Sequence, residues 1–301
     1  MIRHLWMVAL AATLGFVASP AMAQISDSFE TDTSANYTVV DDSNGASGDG
    51  VFDGTIAFAY DYVAAGIPLA PRSLPGDVGG LRMTVNDTEE GEEGATTTEE
   101  DHITAFNNLS IAGSYRIDVD MYMGVNLGAS GTTEFAHVGV AGSSTDFLSI
   151  FTPTTDNGYY VSITGEGGSG SDYRTSAPGN AAIPSGDPVY LNPTNTTNSA
   201  TEPYLSLYPN TEVPGSPTNI WTTLTITVAD TVTYFLDGTP IIQVPNTGSS
   251  DGLVGLGYTD PFDSVGPNFV IYDNLTVTAI PEPTAAFLAL AGMAALAGRR
   301  R

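Results

Sequence analysis

Short runs of alternating apolar and polar residues dominate the chain. In "YRIDVDMYM", Tyr115, Ile117, Val119, Met121 and Met123 fall on one face, with Arg116, Asp118, Asp120 and Tyr122 on the other. That two-residue period predicts a half-buried strand. "WTTLTITV" sets Leu224, Ile226 and Val228 against three threonines, and "DT" at 230–231 turns the chain into "VTYFLDGTPIIQV". There Asp237-Gly238 predicts a tight hairpin turn, because glycine accepts positive φ at low cost. "EFAHVGVAG" (134–142), "FLSIF" (147–151), "YYVSIT" (159–164), "GLVGLGY" (252–258) and "NFVIYDNLTVT" (268–278) read as further strands, and Asp156-Asn157-Gly158 as another turn. No apolar helical period is sustained between residues 24 and 280. The pattern predicts an all-β body.

One residue breaks the alternation. In "FVIYDNLTV" the odd positions Phe269, Ile271, Leu275 and Val277 are apolar, and Asp273 shares their parity. A carboxylate turned into a core costs several kcal/mol unless it is paired or hydrogen-bonded. Three readings stand open: a bulge that flips Asp273 outward, a latch that accepts backbone amides near the amino-terminal strand, or a cation ligand. Long biased stretches separate the strands. "DTEEGEEGATTTEED" (87–101) holds eight acids in fifteen residues and reads as a solvated excursion. The Gly/Ser/Pro-rich 165–188 and the polar 192–203 read as insertions between strands.

The two ends differ from the body. Arg3 and His4 precede an apolar run from Leu5 to Ala18, then Pro20 and Ala21-Met22-Ala23 before Gln24. This is a secretory signal peptide, with cleavage between Ala23 and Gln24 by signal peptidase. The chain ends "IPEPTAAFLALAGMAALAGRRR". Thr284 to Gly298 would make a helix about 22 Å long, short of a bilayer core of about 30 Å. The terminal arginines would stay on the cytoplasmic side. The sequence therefore divides into 1–23, a signal helix; 24–280, the β body; and 281–301, a carboxy-terminal membrane helix with its leader.

Charge and composition narrow the chemistry. The chain carries a net charge of −26, no cysteine and no lysine, and its body has four arginines, Arg72, Arg82, Arg116 and Arg174. Such a surface repels nucleic acid. Disulfides and thiolate metal sites are excluded, and no cofactor is implied. Calcium remains an alternative through the many carboxylates, although "DDSNGASGDG" (41–50) fails the EF-hand spacing. His102 and His137 have no nucleophile motif to join. Asp118 and Asp120 share a strand face, as a glycosidase pair would and as any half-buried strand would. Enzyme activity is not the expectation; glycan hydrolysis is the alternative. Tyr159, Tyr160, Tyr173, Tyr190, Tyr204 and Tyr208 crowd the middle of the chain. They read either as exposed sugar-binding platforms or as ordinary half-buried strand residues.

Two resemblances rest on residues quoted above. The order from "IWTTLTITVADTVTYFLDGTPI" through "GLVGLGY" to "FVIYDNLTVT" is similar to the carboxy-terminal half of laminin G-like and concanavalin A-like jelly-roll domains. It implies a two-sheet β-sandwich in which an early strand, near "DSFETD" at Asp27, pairs beside the last. That fold hosts binding, structural and hydrolytic proteins, so it does not select among them. Pro281-Glu282-Pro283, the apolar segment and Arg299, Arg300 and Arg301 resemble the PEP-CTERM sorting signal of Gram-negative bacteria. The resemblance implies export, a transient anchor in the inner membrane and processing by an exosortase, with Pro281, Glu282 and Pro283 as the recognised motif and the arginines as the stop signal. It further implies a final place in the cell envelope or extracellular matrix, with polysaccharide as the expected partner.

Overall fold

The computed structural model describes residues 23–41, 52–87, 101–127, 134–142, 148, 158–167, 170–179, 182–261 and 267–281. Among them the strands are β1 (Ala23–Asp27), β2 (Tyr37–Asp41), β3 (Gly54–Asp61), β4 (Gly79–Val85), β5 (Asp101–Asn107), β6 (Tyr115–Gly124), β7 (Phe135–Gly142), β8 (Tyr159–Ile163), β9 (Tyr173–Ser176), β10 (Trp221–Val228), β11 (Thr231–Leu236), β12 (Thr239–Pro245), β13 (Leu253–Asp260) and β14 (Phe269–Ala279). One sheet runs β12-β11-β10-β6-β14-β4-β3, with β1 also on β14; the other runs β2-β5-β13-β7-β8-β9. The strand pairs are antiparallel, and the inward faces of both sheets merge into one apolar cluster. The body is a β-sandwich, as the alternation predicts.

Strands β6 and β10 follow their sequence pattern. Tyr115, Ile117, Val119, Met121 and Met123 enter the core, as do Leu224, Ile226 and Val228. Asp237 and Gly238 both have positive φ, 47° and 80°, and turn β11 back into β12. Strand β14 departs from its pattern. Val270 and Tyr272 point into the core, while Phe269 and Ile271 pack on the outer face. A bulge between Asp273 and Thr276, with Asn274 at φ 53°, then reverses the parity so that Leu275 and Val277 point inward. A one-residue shift swaps every side chain to the other face. Tyr272 joins the two sheets: its hydroxyl lies 2.7 Å from the Gly257 carbonyl and 3.0 Å from that of His137.

The stretch 165–203 is more ordered than an insertion. It contains β9, and residues 189–191 run beside the edge strand β12, with Leu191 N–H donating to Ile241 O and Gln243 N–H to Val189 O. Tyrosines pin this stretch. Tyr173 donates to Gly215 O, Tyr190 donates to Ile183 O, and Tyr173 stacks on Tyr204 at 3.8 Å. The exposed-platform reading of the six central tyrosines is therefore corrected: Tyr159, Tyr160, Tyr173, Tyr190, Tyr204 and Tyr208 are all buried, at 2% exposure or less. Burying rings of this size is favourable, and Tyr173 and Tyr190 also satisfy their hydroxyls, whereas Tyr204 Oη has no hydrogen-bond partner among the described residues.

Candidate functional site

The early strand is found beside the last. β1 pairs with β14, with Ala23 opposite Thr278 and Asp27 opposite Leu275. Ala23 and Gln24 thus begin β1, and the described chain ends at Pro281, just beyond β14. The two ends of the body leave the sandwich at one corner. Ala21, Glu282, Pro283, Arg299, Arg300 and Arg301 lie outside the described residues, as do most of 41–50, 87–101 and 147–151. Among the described residues no helix is long and apolar enough to cross a membrane, and no group of three or more His, Asp or Glu side chains is placed to hold a metal ion.

Asp273 combines two of its three readings. The bulge turns it out of the inter-sheet core, yet it is fully buried, beneath the segment that follows β3. Its carboxylate accepts from Tyr62 Oη at 3.0 Å, Ser73 Oγ at 2.9 Å and its neighbour's amide, Asn274 N–H, at 2.6 Å. It latches the 62–74 segment to the sheet rather than binding amides of the amino-terminal strand. Burial lifts its carboxyl to about 6, and the Asp120 charge adds to this, against the opposing hydrogen bonds. The cation beside these acids is a guanidinium. Arg72 Nε meets Asp120 Oδ1 at 3.0 Å and Arg72 Nη2 donates to Asn274 O at 2.5 Å, which neutralises charge that a metal would otherwise have to balance.

The residues with catalytic chemistry are engaged in the fold. Arg116 grips Asp118 with two hydrogen bonds of 2.7 Å. Burial pushes the Asp118 carboxyl up, but the bonds from Arg116 and Thr225 together with the arginine charges outweigh it, and the net shift is downward. A general acid needs the opposite. His102 and His137 stand on the outer face of the six-stranded sheet and are fully buried. His137 Nδ1 lies 2.6 Å from Ser162 Oγ, while its Nε2 has no hydrogen-bond partner. Burial and then the charge of His102 push His137 down to about 3, so the ring is neutral at ordinary pH. Among the described residues no carboxylate orients it, as a serine–histidine triad requires.

A different surface gathers aromatic rings at the solvent. Across the eight-stranded sheet, Trp221 on β10 opposes Tyr122 on β6, Tyr122 opposes Ile271 on β14, and Ile271 opposes Arg82 on β4. This row spans about 14 Å at about 4.8 Å per strand. Tyr122 packs against Trp221 at 5.5 Å and stacks with Phe269 at 6.1 Å and 18°. Gly124 makes the stacking feasible: a Cβ there would lie 2.2 Å from the Phe269 ring. Arg82 sits over Phe269 at 4.9 Å and over Tyr60 at 5.2 Å. Trp221, Phe269, Tyr60 and Arg82 are all half-buried, so each keeps some surface in water. The 62–74 segment covers the middle of the row, Tyr62, Ile67 and Ala70 forming one buried cluster with Tyr122 and Ile271; Trp221 Nε1 donates to Pro68 O at 2.7 Å and Tyr62 meets the indole edge-on at 5.1 Å. The row therefore has fixed ring orientations, part-exposed rings at Trp221 and Phe269, buried Tyr122 and Ile271 between them, and a cation at one end. Sequence alternation already placed Tyr122 on the outer face; Phe269 was hidden by the β14 bulge.

A second opening, about 450 Å³, lies between β1, the turn at Ala35–Asn36 and the end of β5. Several of its polar groups are spent within the fold: Asn107 caps Leu109 N–H, Asn108 accepts from Thr38, and Asp27 accepts from Tyr37 and Phe29 N–H.

No protein-family model and no curated protein matches this chain. Solved structures of similar shape include "Cellulose induced protein, Cip1", with a TM-score of 0.44 and 12% identity over 85% of this chain and 98% of that one. The carbohydrate binding module CBM66 from Bacillus subtilis gives a TM-score of 0.38 and 11% identity over 76% and 94%. A GlcNAcα1-4Gal-releasing endo-β-galactosidase from Clostridium perfringens gives 0.46 and 10% over 87% and 64%. At such identities and TM-scores the likeness is noted and taken no further.

Proposed function

We propose that this chain is an exported carbohydrate-binding protein without turnover of its ligand. In this reading the body is a concanavalin A-like jelly roll that holds polysaccharide against Trp221 and Phe269. A PEP-CTERM tail, handled by an exosortase after signal peptidase acts at Ala23–Gln24, delivers it through the inner membrane to the envelope or extracellular matrix. The observation that carries the binding reading is the pair of half-buried rings Trp221 and Phe269, held on either side of the buried Tyr122 and positioned by the space at Gly124 and the Pro68 carbonyl. Sugar rings present C–H faces that pack on aromatic surfaces, and their hydroxyls suit a polar rim. The common exit of both chain ends agrees with a body tethered at one corner.

Affinity electrophoresis through gels containing different polysaccharides tests the binding. At least one polymer should retard the protein, and Trp221→Ala should weaken that retardation about tenfold while leaving the circular dichroism spectrum unchanged. Retardation that survives the substitution intact would remove the ring row from the site. Release of reducing ends from the bound polymer would favour the hydrolase alternative.

A further inference from the structure

Arg82 has a feature that a neutral-sugar platform does not need. The body's arginines are scarce, and two of them are matched to carboxylates: Arg72 to Asp120 and Arg116 to Asp118. Arg174 donates to Ser171 Oγ. Arg82 makes no ion pair or hydrogen bond to any described residue, and its Nε is buried without a partner. Its guanidinium lies against Phe269 and Tyr60, and the residue is only half-buried. Stacking removes side-chain freedom and presents the planar fork edge-on. In a chain of net charge −26, a cation with no carboxylate partner among the described residues is poised for one from outside.

We infer that Arg82 selects anionic polysaccharide, pairing in bidentate fashion with the carboxylate of a uronate residue whose chain lies along the Trp221–Tyr122–Phe269 row. The inference rests on the carbohydrate-binding reading and adds a substrate class to it. A carboxylate fits better than a lone point charge because the guanidinium fork offers two parallel N–H donors in one plane. Repulsion between the acidic body and a polyanion opposes the encounter. At about 0.15 M salt the screening length is about 8 Å, so distant body charges fade while the contact pair keeps its strength.

The test uses the purified full-length protein and two polymers with the same backbone, polygalacturonate and its methyl ester. Wild type should bind the free acid about tenfold or more tightly than the ester at about 0.15 M salt, the usual margin for a charge-assisted bidentate pair. Arg82→Gln should weaken acid binding more than ester binding and so bring the two affinities within about twofold of each other, with an unchanged melting temperature as the folding control. Arg82→Lys should recover only part of it, because the ammonium keeps the charge but loses the fork. Equal wild-type affinity for acid and ester would overturn the inference while sparing the binding reading. Equal losses for both polymers in Arg82→Gln would likewise reduce Arg82 to packing. Preference for a sulfated polymer over polygalacturonate would overturn the carboxylate assignment. Failure to bind the acid, the ester or any other polysaccharide would end both readings together.

Discussion

Single buried carboxylates decide much of this molecule's behaviour. Asp273 holds Tyr62, Ser73 and Asn274 N–H, so Asp273→Ala leaves three donors without their acceptor. The expected cost is about 2–3 kcal/mol, read as a fall of several degrees in melting temperature. Asp273→Asn keeps an acceptor for the amide, and the two hydroxyls can turn to accept from its NH₂, so it should cost less than half as much. Equal losses in the two variants would show that shape, not hydrogen bonding, holds the 62–74 segment. Glu134 behaves differently. Burial, aided by the charges of Asp260 and Glu166 and opposed by the Asn268 amide, lifts its carboxyl from 4.5 to about 8. The folded protein therefore keeps a proton there that the unfolded chain gives up near 4.5. This contribution to stability is complete below about pH 4.5 and is lost as the pH rises through about 8, on the order of 1–4 kcal/mol in all. In urea titrations Glu134→Gln should be less sensitive to pH across that window than wild type. An identical pH dependence in the variant would assign the effect to other groups.

At the scale of strands, legibility depended on whether the local pattern stayed regular. β6, β10 and the Asp237-Gly238 turn could be read because side-chain parity and positive φ are local properties of a few residues. β14 could not be read in full, since one residue at φ 53° swaps the face of everything after it. Asp273 looked misplaced in sequence for that reason: the alternation was broken at Asn274, and the carboxylate marks the break. β5, which went unread, alternates only briefly, His102 and Thr104 outward against Ile103 and Ala105 inward, before Phe106 puts a ring on the outer face. All seven of its residues are buried, the outer ones under a cover that includes Leu148. The central tyrosines failed for a related reason. Polar, glycine-rich surroundings signalled loops, but these loops run back beside β12, and tertiary burial overrode local texture. The ring row was half legible. Tyr122 and Trp221 belong to readable strands, whereas the arrival of Phe269 and Arg82 beside them depends on the order of β6, β14 and β4, which no local pattern encodes.

The whole molecule closes on its own ends. Among the described strands β1 pairs with β14 alone, and Ile25, Asp27 and Phe29 are buried where the closure is made. Asp27 fixes the following chain by accepting from Phe29 N–H at 2.9 Å and Tyr37 Oη at 3.0 Å. A cut between Ala23 and Gln24 would cost the strand a single terminal position, so processing and folding are compatible at this boundary. A cut only a few residues later would strip the pairing from β14 and expose its edge. On the proposed reading of both ends, mass spectrometry of the protein recovered from cells should find Gln24 at the amino terminus and a carboxy terminus that lacks Arg299–Arg301. A chain begun at Gln24 should melt within about 2 °C of the full-length protein, whereas one begun at Phe29 should lose several degrees, given about 2–4 °C per kcal/mol for a body of this size. Should the Phe29 chain prove as stable as the Gln24 chain, β1 would be an ornament of the sandwich. An exported form still carrying all three arginines would leave the tail as a plain anchor.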